Sequence, residues 1–138
     1  MKDIKFIHNY FKEFQKHIIP HESLVVDLLK IKNFFLKIKK NKKKIIVIGN
    51  GGSAGIASHF SVDMTKNGKI RCVNFNEPGL ITCLTNDFSY EEMYAKAINY
   101  YGEKGDLLIA ISSSGTSPNI IKACVEARKR KFSKIITF

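Results

Sequence analysis

A chain of 138 residues with 44% hydrophobic side chains is sized for one domain around one core. No apolar run reaches the roughly 20 residues that a membrane-crossing helix needs. The charged opening MKDIKFIHNY also lacks the uninterrupted apolar centre of a signal peptide, so the expected location is the cytoplasm, with no membrane partner. The formal charge of +11 points toward nucleic acid, but much of the excess lies in KIKKNKKK (37–44), a run that reads as a solvated helix end. No basic stripe interleaved with stacking aromatics accompanies it. Nucleic acid is therefore not an expected partner, and the charge is better suited to attracting small anions. Cys72, Cys83 and Cys124 stand far apart without CxxC spacing and read as reduced, mostly buried residues.

The first helix is expected over 3–18, where Ile4, Ile7, Phe11 and Phe14 recur at spacings of three and four. Pro20 interrupts it. A second helix over 22–39 carries Leu24, Leu28, Ile31, Phe35 and Ile38 on one stripe, with Leu29, Phe34 and Leu36 outside it. Apolar surface on more than one side implies more than one neighbour, which points to an oligomer or to packing within the monomer. From Lys44 the pattern becomes KIIVIG, a buried parallel strand, followed by a glycine turn and a helix over 53–65. KIRCVNF (69–75) is a second strand and PGLITCLTN (78–86) a short helix. The helix at 89–101 has Ser89 as cap and Glu92 three residues on. GDLLIAIS (105–112) is a third strand. A helix over 118–131 opens on Pro118, and SKIITF (133–138) is a fourth strand. Strands alternating with helices give an α/β fold, a parallel sheet with helices on both faces. Because the chain stops on a strand, it reads as a fragment or early-terminated product; an edge strand that ends the fold is the alternative.

In an open α/β sheet, ligands bind beyond the carboxyl ends of the strands. Two loops there have unusual composition. Gly49-Asn50-Gly51-Gly52-Ser53 lets a ligand approach the backbone and the N–H groups of the next helix. Ser112-Ser113-Ser114-Gly115-Thr116-Ser117-Pro118 offers five hydroxyls and a second helix N-terminus, which suits a phosphate monoester. Ordinary capping accounts for Ser117 but not for Ser112, Ser113 and Ser114 together. Neither loop contains the nucleotide motif GxxxxGK[ST]. A dinucleotide fingerprint can be laid on Gly49, Gly51 and Ala54. The second strand, however, ends Asn74-Phe75-Asn76, with Glu77 only beyond it, so a small sugar phosphate fits better.

GNGGSA (49–54), NDFSYEE (86–92) and ISSSGTSPN (111–119), in this order, resemble the sugar isomerase (SIS) domain, and most closely the phosphoheptose isomerases. The resemblance implies a three-layer, flavodoxin-like sandwich over 44–138, its C-terminal part missing, with an N-terminal helical extension over 1–43 that packs on the domain and mediates oligomerisation. It implies that sedoheptulose 7-phosphate is converted to D-glycero-D-manno-heptose 7-phosphate for lipopolysaccharide or capsule. It also implies a homotetramer with active sites at subunit interfaces. Ser112, Ser113, Ser114 and Ser117 would bind the phosphate. Asn50, Gly51, Gly52 and Ser53 would line the site, and Asn86 and Asp87 would approach the sugar hydroxyls. The family carries a glutamate base four residues after a helix histidine, and both bind zinc in many members. Here the positions are His59 and Asp63, so Asp63 would be base and metal ligand, and His59 a metal ligand, with an aspartate one methylene shorter than the family's residue. The bland alternatives are a polar core histidine and a solvated helix aspartate. The family's catalytic histidine and a glutamine ligand lie on a helix beyond the fourth strand, after Phe138. Two further readings follow from these departures: a non-catalytic module that binds a sugar phosphate in a regulatory or scaffold role, and an inactive truncated isomerase.

Overall fold

The computed structural model describes residues 2–138. It divides into two compact units, with the boundary between Asn33 and Phe34. The first unit holds helix α1 (Lys2–Ile18) and the opening turns of α2 (Glu22–Lys40). Within it no residue of α1 is buried, and Phe6, Tyr10, Phe11 and Phe14 are all exposed. The Tyr10 and Phe14 rings stack at 6.2 Å on one side of that helix. Among the described residues no helix is long and apolar enough to cross a membrane.

The second unit is the expected α/β domain. Its elements are β1 (Ile45–Gly49), α3 (Gly52–Lys66), β2 (Cys72–Val73), α4 (Pro78–Asp87), α5 (Met93–Tyr101), β3 (Leu107–Ile111), α6 (Pro118–Lys129) and β4 (Lys134–Thr137). The strands form one parallel sheet in the order β2-β1-β3-β4. Ile45, Ile46, Val47 and Ile48 are fully buried, as are Leu107 and Leu108. Each such side chain contributes about 1.5–3 kcal/mol by leaving water. Alternation along the strands serves two layers. Ile46, Ile48, Leu108 and Ala110 meet α4, α5 and α6 through Leu84, Tyr94, Ile98, Ile120 and Ala123. Helix α3 packs on β1 with Ala57 and Ser61 buried.

Two elements are shorter than the sequence suggests. The second strand is expected over 69–75 but pairs only at Cys72 and Val73. Lys69 has a φ of 54°, which is incompatible with extension. At the other end the Asn74 side chain accepts the Asn76 N–H at 3.0 Å and turns the backbone away. The fifth helix starts at Met93 rather than at 89. The Ser89 hydroxyl does accept the Glu92 N–H, at 3.2 Å. The reciprocal half of a capping box is absent, because the Glu92 carboxylate is drawn to Lys122 at 2.7 Å. That ammonium holds the Glu92 carboxyl below its ordinary value. The cysteines divide by environment: Cys83 is exposed, Cys124 is partly buried, and burial pushes the Cys72 thiol up to about 12.

The start of the β1–β3 pair is fixed by a buried ion pair. Asp106, fully buried just before β3, accepts the Lys44 ammonium at 2.7 Å and the Lys44 N–H at 3.0 Å. Its second oxygen also accepts the Glu103 N–H at 2.8 Å. Both oxygens of the buried carboxylate are thereby engaged. Removing Asp106 leaves the largely buried Lys44 ammonium with only the exposed Glu103 carboxylate, 3.5 Å away. Asp106→Ala is therefore expected to lower the unfolding free energy by about 3–5 kcal/mol, read from urea denaturation; a loss below about 1 kcal/mol would show that the pair is not a structural anchor.

Candidate functional site

The chain leaves β1 toward β2 on one side and later returns to β3 on the other, so the loops after β1 and β3 diverge from neighbouring strand ends. This is the switch point at which open α/β sheets bind ligands. The glycine turn begins where Gly49 closes β1. A Cβ there would meet the Ser53 backbone and side chain at 2.8 Å, so only glycine lets α3 fold back this tightly. Gly51 takes a φ of 53° and stands at the N-cap of α3 without any side-chain cap. Among the described residues the amides of Gly51 and Gly52 find no acceptor, whereas Ser53 N–H already turns back to the Asn50 carbonyl at 3.0 Å.

The serine loop is a compact turn around Gly115, whose φ is 65°. Ser112 Oγ accepts the Gly115 N–H and Ser114 Oγ accepts the Thr116 N–H, each at 3.2 Å. Among the described residues the N–H groups of Ser113, Ser114 and Ser117 find no acceptor. Capping does not explain Ser117 after all. It holds the N-cap position of α6 but makes no cap hydrogen bond, and its hydroxyl lies 3.4 Å from that of Ser114. The loop therefore presents hydroxyls, unpaired amides and a helix N-terminus together, the donor set an oxyanion requires.

The two loops are joined through Asn50 by Asn119 and Tyr90, neither of which carries an expected role in the sequence. Asn119, in the first turn of α6, exchanges two hydrogen bonds with Asn50, at 2.8 and 3.0 Å. The Tyr90 hydroxyl donates to Asn50 Oδ1 at 3.1 Å. The Tyr94 hydroxyl donates to the Gly49 carbonyl. Burial, with Tyr90 nearby, raises the Tyr94 phenol above its ordinary value and keeps it a neutral donor. The available signal was an asparagine directly after the helix-opening proline, in a motif otherwise made of serines.

The remaining expected residues are placed less centrally. Asn86 and Asp87 end α4, exposed, and bond to each other at 3.0 Å; Asp87 also accepts from Cys83, and neither residue bonds to either loop. His59 and Asp63 share one face of α3 with Gly52 and Ile56, along an open groove of about 550 Å³. His59 Nε2 is 3.4 Å from Asp63 Oδ2, and the histidine is 81% exposed, so it is not a core residue. The other Asp63 oxygen accepts from Asn67 at 3.2 Å. Zinc in proteins prefers a tetrahedral set of nitrogen, oxygen or sulfur ligands. His59 and Asp63 are suitable donors, but among the described residues no third histidine, cysteine, aspartate or glutamate joins them. The pair offers two of the ligands that such a set uses. A separate cavity of about 290 Å³ borders the serine loop at Ser112 and Gly115 and runs between α6 and β4, past Cys124, Arg128 and Phe138. The groove thus touches the glycine turn and the cavity touches the serine loop, with the asparagine pair between the two loops.

Residues 9–137 match the family model of the SIS domain. The chain belongs to the SIS domain family. This SIS domain is 34% identical over 134 residues to a phosphoheptose isomerase of Fusobacterium nucleatum, covering 91% of this chain and 68% of that relative. It is 36% identical to a phosphoheptose isomerase of Shewanella denitrificans, covering 88% of this chain and 65% of the relative. Its fold superposes on the structure of a phosphoheptose isomerase from Neisseria gonorrhoeae with a TM-score of 0.87, at 27% identity, over 99% of this chain and 74% of the other. The SIS domain described here thus spans about two thirds of the length of the curated relatives it matches. In this domain Gly49→Ala is expected to force the β1–α3 turn open at a cost of about 1–3 kcal/mol. The check is the urea midpoint, and an unchanged midpoint would mean that the turn accommodates a methyl group.

Proposed function

We propose that this SIS domain binds a sugar phosphate across the β1 and β3 loops and works as an aldose–ketose isomerase on sedoheptulose 7-phosphate. The reading rests on one observation above all: the serine loop gathers unpaired amides and hydroxyls at a helix N-terminus, beside a glycine turn held to it by Asn50 and Asn119. The matched phosphoheptose isomerases support the choice of a seven-carbon substrate. In this reading Ser112, Ser113, Ser114 and Ser117 hold the phosphate. Gly51, Gly52 and Ser53 face the sugar, and Asn86 and Asp87 meet its hydroxyls.

Isomerisation moves a carbonyl between C2 and C1. A base removes the proton from C1, and the C1–H electrons form a C1–C2 double bond. The C2 carbonyl oxygen takes up a proton to give the enediol. Return of a proton to C2, with loss of the O1 proton, then gives the aldose. Asp63 is the carboxylate we assign to the C1 proton, with His59 beside it fixing which way the carboxylate faces. The apolar side chains exposed along α1 suit self-association, and we take a homo-oligomer as the working form.

One observation favours a second reading, a module that binds the sugar phosphate without turnover. Asp63 is half exposed and one of its oxygens is tied to Asn67. An aspartate also falls about one methylene short of the family's glutamate, and misplacement on the order of 1 Å can cost roughly 100-fold in rate. The two readings separate in one experiment, in which the protein is incubated with sedoheptulose 7-phosphate, with and without added zinc, and heptose phosphate is assayed beside binding. Turnover supports the isomerase; tight binding without turnover supports the module. In either case Ser113→Ala with Ser114→Ala is expected to weaken sugar-phosphate binding by roughly 10- to 100-fold, because hydrogen bonds to a charged group are worth about 1.5–3 kcal/mol. Unchanged affinity in that double variant would remove the serine loop from the site.

A further inference from the structure

Asn119 is 2% exposed, and a buried amide is costly unless its polar atoms are paired. Its Nδ2 donates to Asn50 Oδ1 at 2.8 Å, and its Oδ1 accepts from Asn50 Nδ2 at 3.0 Å. The same Oδ1 accepts the Ile120 N–H at 3.0 Å, which fixes the amide relative to the first turn of α6. Asn50 Oδ1 has two acceptor sites, and the Tyr90 hydroxyl takes the second at 3.1 Å. The two amides therefore satisfy each other, and they do so only when the loops stand at one separation and one orientation. Leucine would leave the Asn50 Nδ2 without this acceptor, and aspartate would set two acceptors face to face.

We propose that Asn119 is a positioning residue that sets the spacing between the glycine turn and the serine loop by gripping Asn50, and that Tyr90 steadies the pair. The proposal rests on the reading that one sugar phosphate spans both loops. Such a ligand senses the spacing. Inorganic phosphate, small enough for the serine loop alone, does not. Asn50 then contributes through Asn119 rather than through an independent contact with the sugar, and the two residues act as one unit. Residues that act as a unit give non-additive losses.

The test is calorimetric titration of the unaltered protein, Asn50→Ala, Asn119→Ala and the double variant with sedoheptulose 7-phosphate and, separately, with inorganic phosphate. Each single substitution is expected to weaken sugar-phosphate binding by roughly 10- to 100-fold. The double variant is expected to lose no more than the worse single, and phosphate affinity is expected to stay constant throughout. Losses that multiply in the double variant, singles without effect, or an equal loss for inorganic phosphate would each overturn the proposal while leaving the sugar-phosphate reading standing. Failure of the unaltered protein to bind sedoheptulose 7-phosphate would overturn both. Should Asn119→Ala not fold by circular dichroism, Tyr90→Phe takes its place in the cycle with Asn50→Ala, with the same criterion of no further loss in the double variant.

Discussion

The parallel pairing of β1 with β3 is the constraint on which the rest of the structure depends. It runs from Ile45 opposite Leu107 to Gly49 opposite Ile111, with nearly every side chain removed from water. Burial alone does not choose a register in a strand that is apolar on both faces, because a slip exchanges one isoleucine for another. The polar groups at the two ends make that choice. Lys44 and Asp106 lock the amino end with a buried ion pair, and Asn50 and Asn119 lock the carboxyl end with a reciprocal amide pair. A slip by one residue would strand a charge at one end and an amide at the other. The apolar core supplies the stability, and the polar ends supply the alignment that brings the glycine turn beside the serine loop.

This alignment sets the frame for the serine loop. The Ser112 and Ser114 hydroxyls accept the amides of Gly115 and Thr116, and the positive φ of Gly115 lets the chain turn tightly enough for both bonds. The turn is thus held by its own hydrogen bonds, while among the described residues the amides of Ser113, Ser114 and Ser117 find no acceptor. Preorganised donors of this kind cost little reorganisation when an oxyanion binds.

Much of this was legible in the sequence, and the exceptions have local causes. The β-branched run IIVIG, the glycine turn and the Ser-Pro helix start all carry strong short-range signals, and each appears where the chain chemistry places it. KIRCVNF looks uniformly β-forming, and a positive φ at Lys69 leaves no mark in composition, so the strand is shorter than its sequence suggests. The helix begins at Met93 and not at 89 because Glu92 bonds to Lys122, thirty residues away, instead of completing a local cap. The position of Ser117 suggests a cap, but cap geometry depends on side-chain direction. Asn119 escaped notice for the same reason as Glu92, since its partner Asn50 is distant in sequence and meets it only through the β1–β3 register. Long-range polar pairings are what a single sequence conceals, and here they hold the candidate site together.

Helix α3 links that site to the exposed His59–Asp63 pair, since Gly52 belongs both to the glycine turn and to the groove in which the pair lies. In the proposed function the two loops form a single binding site. Titrating ¹⁵N-labelled protein with sedoheptulose 7-phosphate tests it most directly, through the backbone amide resonances of 51–53 and 113–117. Both sets are expected to shift along one saturation curve with a common dissociation constant. Shifts confined to one loop, or two loops saturating at different concentrations, would contradict it.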